Sequence, residues 1–248
     1  MAEVLTVREQ DFHQAWVRAC KLCEKYGTPI VFGTKAEPKH AIDTCQRIIL
    51  TGNALDQIRK RQIHPDFPFK QIGMYCDEYT REYLEKYLRM SGEKRFAYLY
   101  FERFANYAGS DGSVVDQLKI LREQLQEQID TQIVSNRVQL ITWQRKKDDR
   151  SATPPCLQSI WPRLYLPAND NDVLLADVHN RWRSRDLVSA WQANLICVLE
   201  MLDREVFGPL GITFARIIDD CDSLHAYLAD AWIIKKLQVN PQLAYLYE

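Results

Sequence analysis

Residues 172–207 read DVLLADVHNRWRSRDLVSAWQANLICVLEMLDREVF, and the hydrophobic period changes partway along. Asp172 to Asn180 reads as a strand, and Leu187 to Phe207 as the longest helix of the chain, ended by Gly208-Pro209. Upstream, Leu157 to Tyr165 reads as another strand, entered through Pro154-Pro155-Cys156. Before it, Arg137 to Trp143 (RVQLITW) alternates like a strand, and RKKDDRSAT at 145–153 reads as a charged linker. Downstream, Gly211 to Ile218 reads as a strand, then a loop to His225 and a short helix over 227–237.

The N-terminal half repeats this mixture. Residues 11–26 have the pattern of an amphipathic helix ended by Gly27 and Pro29, QRIIL at 46–50 that of a short strand, and Thr51-Gly52-Asn53 that of a turn. IHPDFPF at 63–69 is a proline-punctuated loop with aromatic anchors. Residues 74–90 and 114–129 carry apolar residues at helical spacing, with Val114, Val115, Leu118, Leu121, Leu125 and Ile129 as one stripe. Strands and helices mixed along the whole length predict an α/β (α+β) fold. With 248 residues, no composition break and no internal repeat, one domain spanning 1–248 is expected.

Composition limits the function. A net charge of −1 gives no general pull toward nucleic acid or membrane, so any anionic ligand needs a local cluster of Arg and Lys. The N-terminus lacks a cationic start followed by an apolar core, so no secretory signal is expected. Leu187 to Leu202 is interrupted by Ser189, Gln192, Asn194 and Glu200, which excludes a membrane span. The seven cysteines are irregularly spaced, and Cys20 and Cys23 form a lone CxxC without the second pair a zinc site needs. They share a helical face with Trp16 and read as core. A cytoplasmic, reducing location and no metal are expected.

Some residues carry chemistry. Two prolines hold the chain extended before Cys156 and present its thiol at a rigid corner, where a thiolate would be a strong nucleophile. Taken alone, a cysteine is more often a small buried hydrophobe. Arg181, Arg183 and Arg185, with Ser184, suit a phosphate, and alternation along an extended segment would put the three arginines on one face. The bland alternative is a solvated edge strand. Asp186 and Asn194 are eight apart. An Asn amide offers a donor and an acceptor that match the O4 and N3–H edge of uracil. His225 and Tyr227, two apart, would aim at one ligand from an extended backbone.

Together these residues resemble the thymidylate synthase family, in its short, archaeal-like branch. The features in order are Pro155-Cys156, then Arg183-Ser184-Arg185-Asp186, Asn194, and His225-Ala226-Tyr227. Trp143 lies thirteen residues before the cysteine and Arg137 six before that tryptophan. The match covers residues 134–236; IHPDFPF and Tyr100-Phe101-Glu102-Arg103 extend it loosely into the first half.

The resemblance implies a homodimer with a mixed sheet and flanking helices, which converts dUMP to dTMP with 5,10-methylene-tetrahydrofolate or a related tetrahydropterin. It implies that Cys156 adds to C6 of the pyrimidine and that Asn194 binds the base edge. Arg183 and Ser184 would hold the 5′-phosphate with Arg137 donated across the dimer, and His225 and Tyr227 the sugar. Asp186 would face the pterin, and Tyr100, with Tyr98 as competitor, would orient the C5 proton transfer. Glu78 is a candidate for the family's helix carboxylate, and Lys35, Lys39 or Arg47 for a further phosphate contact. The sequence departs from the family pattern at Asn136, Leu157, Trp182, Ala190 and Gln192, and ends 21 residues after Tyr227, short of the tail that closes over folate in bacterial members. Two alternatives therefore stand: a pyrimidine nucleotide (dUMP, dCMP or CMP) 5-hydroxymethylase of the same fold, and a catalytically silent nucleotide-binding homologue.

Overall fold

The computed structural model describes residues 4–33, 35–70, 72–90, 92, 96–109, 111–167, 169 and 173–237. In chain order, strand β1 (Leu5–Glu9) leads into helix α1 (Phe12–Tyr26), strands β2 (Thr28–Gly33) and β3 (Pro38–Leu50), and helix α2 (Asn53–Arg59). The single turn α3 (Gly73–Cys76) and helix α4 (Arg81–Arg89) flank a 3₁₀ turn, Asp77–Tyr79. Next come α5 (Tyr100–Ala105), the short strands β4 (Tyr107–Ala108) and β5 (Val114–Val115), and α6 (Gln117–Thr131). Strand β6 (Leu140–Ile141), turn α7 (Arg145–Asp148), β7 (Leu157–Tyr165), β8 (Leu175–Trp182) and β9 (Arg185–Asp186) precede helix α8 (Trp191–Leu202). A π-helical turn, Asp203–Phe207, a 3₁₀ turn, β10 (Thr213–Tyr227) and α9 (Ala231–Lys236) complete the order. This is a mixed α/β structure, with an open mixed sheet and flanking helices. No described helix is long and apolar enough to cross a membrane.

The residues gather in two compact units. One comprises Met1–Lys70, Trp182–Leu195 and Arg216–Glu248, the other Gln71–Arg181 and Ile196–Ala215.

In the first unit β1 runs parallel to β3, while β2 and β10 pair antiparallel with β3, and β9 adds parallel to β10. Helix α1 covers the β3 face that presents Gln46, Ile48 and Leu50, and Gln46 donates to the Ala19 carbonyl at 3.0 Å. Asp11 caps the helix by accepting from the Gln14 N–H at 2.9 Å. Gly27 ends it, and a Cβ there would run into Ile42. Trp16, Cys20 and Cys23 are fully buried, as their shared face predicts.

Strand β10 corrects the expected short strand and loop. It is continuous from Thr213 to Tyr227, with a bulge between Cys221 and Leu224. Its Asp219 is buried and accepts from Trp182 Nε1 and Trp191 Nε1, each at 2.9 Å, and from the Arg185 guanidinium. The same guanidinium lies 4.2 Å from the centroid of the Trp182 ring. Arg185 therefore turns inward while Arg181 is exposed, so the three arginines do not share a face.

In the second unit β6 pairs antiparallel with β7, and β8 lies on the other side of β7. Helix α6 begins at its cap, Asp116, and buries Leu118, Leu121 and Leu125. Val114, outside the helix, is 70% exposed, so the apolar stripe stops short of it. The apolar pattern of 74–90 is divided between α3, the 3₁₀ turn and α4. The expected linker at 145–153 contains α7, and its Asp148 is fully enclosed by a two-pronged ion pair with Arg103, both bonds 2.8 Å. Helix α8 starts at Trp191, not Leu187, because 187–190 form a turn. It is apolar on nearly all sides, as its burial requires.

Asp219→Asn leaves the buried Arg185 charge uncompensated. Stability falls by about 3–5 kcal/mol, measured by urea unfolding followed by circular dichroism. A loss within about 1 kcal/mol would contradict the buried pair.

Candidate active site

Cys156 sits at the corner between Pro155 and the first residue of β7, with its side chain half-buried. Gln158 Nε2 donates back to the Pro155 carbonyl at 2.9 Å, and the Thr142 hydroxyl donates to the Leu157 carbonyl. The Leu157 N–H donates to the Tyr100 hydroxyl at 3.2 Å. The backbone is therefore held before the thiol by the nearby Gln158 and after it by Thr142 and Tyr100 from other parts of the second unit.

Tyr100 and Tyr98 form one cluster at this corner. The Tyr98 hydroxyl donates to that of Tyr100 at 3.3 Å, with the rings edge to face at 5.3 Å. Tyr100 is only 4% exposed and stacks on Tyr79 at 5.0 Å; Tyr98 keeps part of its surface in solvent. Burial, and then the charge of Cys156 and of the buried Glu78, push the Tyr98 phenol well above its ordinary value, so it stays protonated. Arg103 places its guanidinium 5.4 Å from the Tyr98 ring while paired with Asp148.

The first unit holds Arg183, Ser184, Asp186, Asn194, His225 and Tyr227, while Arg137 belongs to the second. Asp186 Oδ1 accepts from the Val188 and Ser189 N–H groups at 2.9 and 3.1 Å, and Oδ2 accepts from the Ser189 hydroxyl. Its backbone carbonyl accepts from Ala190, and the Ala190 carbonyl from Asn194, so Asp186 sets the turn that starts α8. Asn194 is 8% exposed, yet its amide makes no hydrogen bond among the described residues. The Ser184 hydroxyl, half-buried, likewise makes none among them.

His225 stands opposite Asp186 in the β9–β10 pairing. Its ring packs 4.4 Å from Phe32 and 5.0 Å from Tyr227, so β10 turns both residues to the Phe32 side. Burial lowers the His225 pKa, against the opposing pull of Asp186, the Ser223 carbonyl and Asp43.

The arginines differ in their surroundings. Arg183 is half-buried; Arg137 is exposed and makes no ion pair with a described residue. Arg47, a candidate phosphate contact, is already held by Asp220 at 2.6 and 3.0 Å. Lys35 and Lys39 are exposed. No group of three or more metal-ligating side chains is found among the described residues. A cleft of about 640 Å³ opens beside Arg18, Tyr26 and Cys45, but none of the candidate residues lines it.

Three supporting groups are not evident in the sequence: Asp219, Asp148 and Gln192. Gln192 accepts from the His64 N–H at 3.0 Å and so ties down the 63–69 loop, whose Phe67 packs edge-on against Trp16 at 5.5 Å. The only available signal for Asp148 is the Tyr-x-x-Arg spacing that singles out its partner, Arg103.

No protein-family model matches the sequence, and neither does any curated protein.

The depressed His225 pKa has a defined sign. Below the ordinary value near 6.5 the unfolded chain takes up a proton that the folded chain refuses, so stability is fully present above that pH and is lost below it. The urea midpoint falls between pH 7.5 and 5.5, and falls less in His225→Gln; parallel curves would rule out this contribution.

Proposed function

We propose that the protein is an enzyme of the thymidylate synthase type, acting on a pyrimidine nucleotide through a covalent Cys156 adduct. The observation that carries this reading is the Cys156 corner. A partly accessible thiol on a proline-fixed backbone lies beside a protonated tyrosine whose partner is locked to the next residue's N–H. The resemblance in residue order supports it.

The thiolate adds to C6 of the base and makes C5 a carbon nucleophile. Asn194 supplies a donor and an acceptor for the uracil edge, and its amide, which makes no hydrogen bond among the described residues, suits a ligand-binding role. Arg183, Ser184 and the partner-donated Arg137 neutralise the phosphate in a homodimer, while His225 and Tyr227 hold the sugar. His225, neutral by burial, does so without adding charge. Of the two tyrosines, Tyr98 keeps the exposure needed to orient the C5 proton transfer, and Tyr100 positions it.

A methylene-tetrahydropterin, when bound, supplies the one-carbon unit and the hydride. Asp186 is suited to meet it: a carboxylate offers about four acceptor sites, and the turn occupies three, which leaves one for a pterin N–H. The proposed setting is the cytoplasm, where tetrahydropterins are kept reduced.

The test is product mass spectrometry after incubation with dUMP or dCMP and methylene-tetrahydrofolate. A methyl product from dUMP, with the pterin oxidised, is expected. A hydroxymethyl product without pterin oxidation would transfer the assignment to the hydroxymethylase reading. Cys156→Ser should lower kcat/KM by about a thousandfold or more, and unchanged turnover would end both catalytic readings. Tyr98→Phe should lower kcat about a hundredfold with KM little changed. Tyr100→Phe should instead cost about 1–3 kcal/mol of stability by stranding the Leu157 N–H. The reverse pattern would exchange the two roles.

A further inference from the structure

Cys76 closes the single turn of α3, and Cys197 lies in the buried run of α8, 121 residues further along. Their Cα atoms are 4.8 Å apart, a span that a disulfide bridges without backbone movement, and the two sulfurs are joined. The chemistry proposed above uses neither.

What gives the pair meaning is the segment attached to Cys76. Glu78 and Tyr79 follow within three residues, in the 3₁₀ turn, and both are buried. Tyr79 stacks on Tyr100 with the rings 19° from parallel, and the Tyr100 hydroxyl receives the Leu157 N–H beside Cys156. Turn α3 itself is four residues long and has no side-chain cap. A turn of that length has little stability of its own, so its covalent tie to α8 governs how firmly the tyrosine stack is seated.

We propose that Cys76 and Cys197 form a reversible thiol–disulfide couple that sets the rigidity of the tyrosine stack beside Cys156. The proposal does not depend on the substrate. In oxidation, one of the two thiolates attacks a sulfur of a small disulfide such as oxidised glutathione and releases one thiol. The other then attacks the mixed disulfide and releases the second. The protein gives up two protons and two electrons, and the oxidant becomes two thiols. A dithiol reverses the exchange. It enters at Cys76, which is 6% exposed, in preference to Cys197 at 0%. In a reducing compartment a disulfide is transient or regulatory, which fits a couple and not a permanent staple.

The test uses the full chain, equilibrated with oxidised glutathione or with dithiothreitol, quenched in acid, denatured, alkylated and mapped by peptide mass. The Cys76 and Cys197 peptides should be linked in the first buffer and separately alkylated in the second. On reduction, amide exchange over residues 72–80 should quicken about tenfold or more, and Tm should fall by about 10 °C. Cys197→Ala should show the lower Tm in both buffers; should it not fold, the parent's two buffers decide alone. Equal alkylation in both buffers overturns the proposal. So does a linked form whose exchange and Tm match those of the reduced form.

Discussion

The buried carboxylate of Asp219 is the constraint on which the first unit is organised. It accepts from two indole N–H groups and a guanidinium, all out of contact with water. Burying one charge costs several kcal/mol, so Asp219 is tolerable only because Arg185 is buried with it. That requirement runs from mid-β10 to the end of β8, through β9, to the first residue of α8. It forces Arg185 inward, and in an extended backbone the next residue, Asp186, then faces the other way. The Asp186 carboxylate is thereby delivered to the turn that starts α8. The local geometry of Asp186 and of the turn it caps follows from where one charge had to be hidden.

The second unit uses the same device in a different setting. Arg103 and Asp148 are enclosed as a two-pronged pair, and the Arg103 guanidinium also lies against an aromatic ring, that of Tyr98. In both cases a planar cation is fixed by a carboxylate and then serves as a flat surface for an aromatic side chain. At Arg103 lysine could not substitute, since it has no planar fork to satisfy two carboxylate oxygens while stacking. Gln117 extends the support by bonding the Arg103 and Ile141 carbonyls and accepting from the Ile141 N–H. Polar groups thus set the backbone around Cys156, and apolar packing fills in around them.

The sequence revealed those parts whose physics is local. Helix α1 shows its period, cap and stop, and β7 was legible to its ends because alternation and the proline corner bound it. The polar stretch Asp219-Asp220-Cys221-Asp222-Ser223 looks like a loop because burying an aspartate makes sense only with a partner, and Arg185 is 34 residues away. RKKDDRSAT misleads for the same reason, since Asp148 is paired across 45 residues. For the candidate site, order and spacing singled out Cys156, Asp186, Asn194 and His225. They could not say which tyrosine is sealed by stacking, which is decided by Tyr79 from another element.

Burial also sorts the cysteines into those that can react and those that cannot. Burial pushes the Cys23 thiol up to about 11, and it raises Cys20 and Cys221 as well. These three remain protonated at neutral pH, and a protonated thiol is a poor nucleophile and a poor metal ligand. The lone CxxC is therefore chemically quiet even though its spacing matches that of redox motifs. Cys76 and Cys197 are occupied with each other. Cys156 differs from all of these in keeping part of its surface in solvent, on a backbone that cannot retreat. A nucleophile must be reached as well as ionised; Cys45 and Cys156 both keep part of their surface in solvent, and of the two Cys156 is the one held at a proline corner.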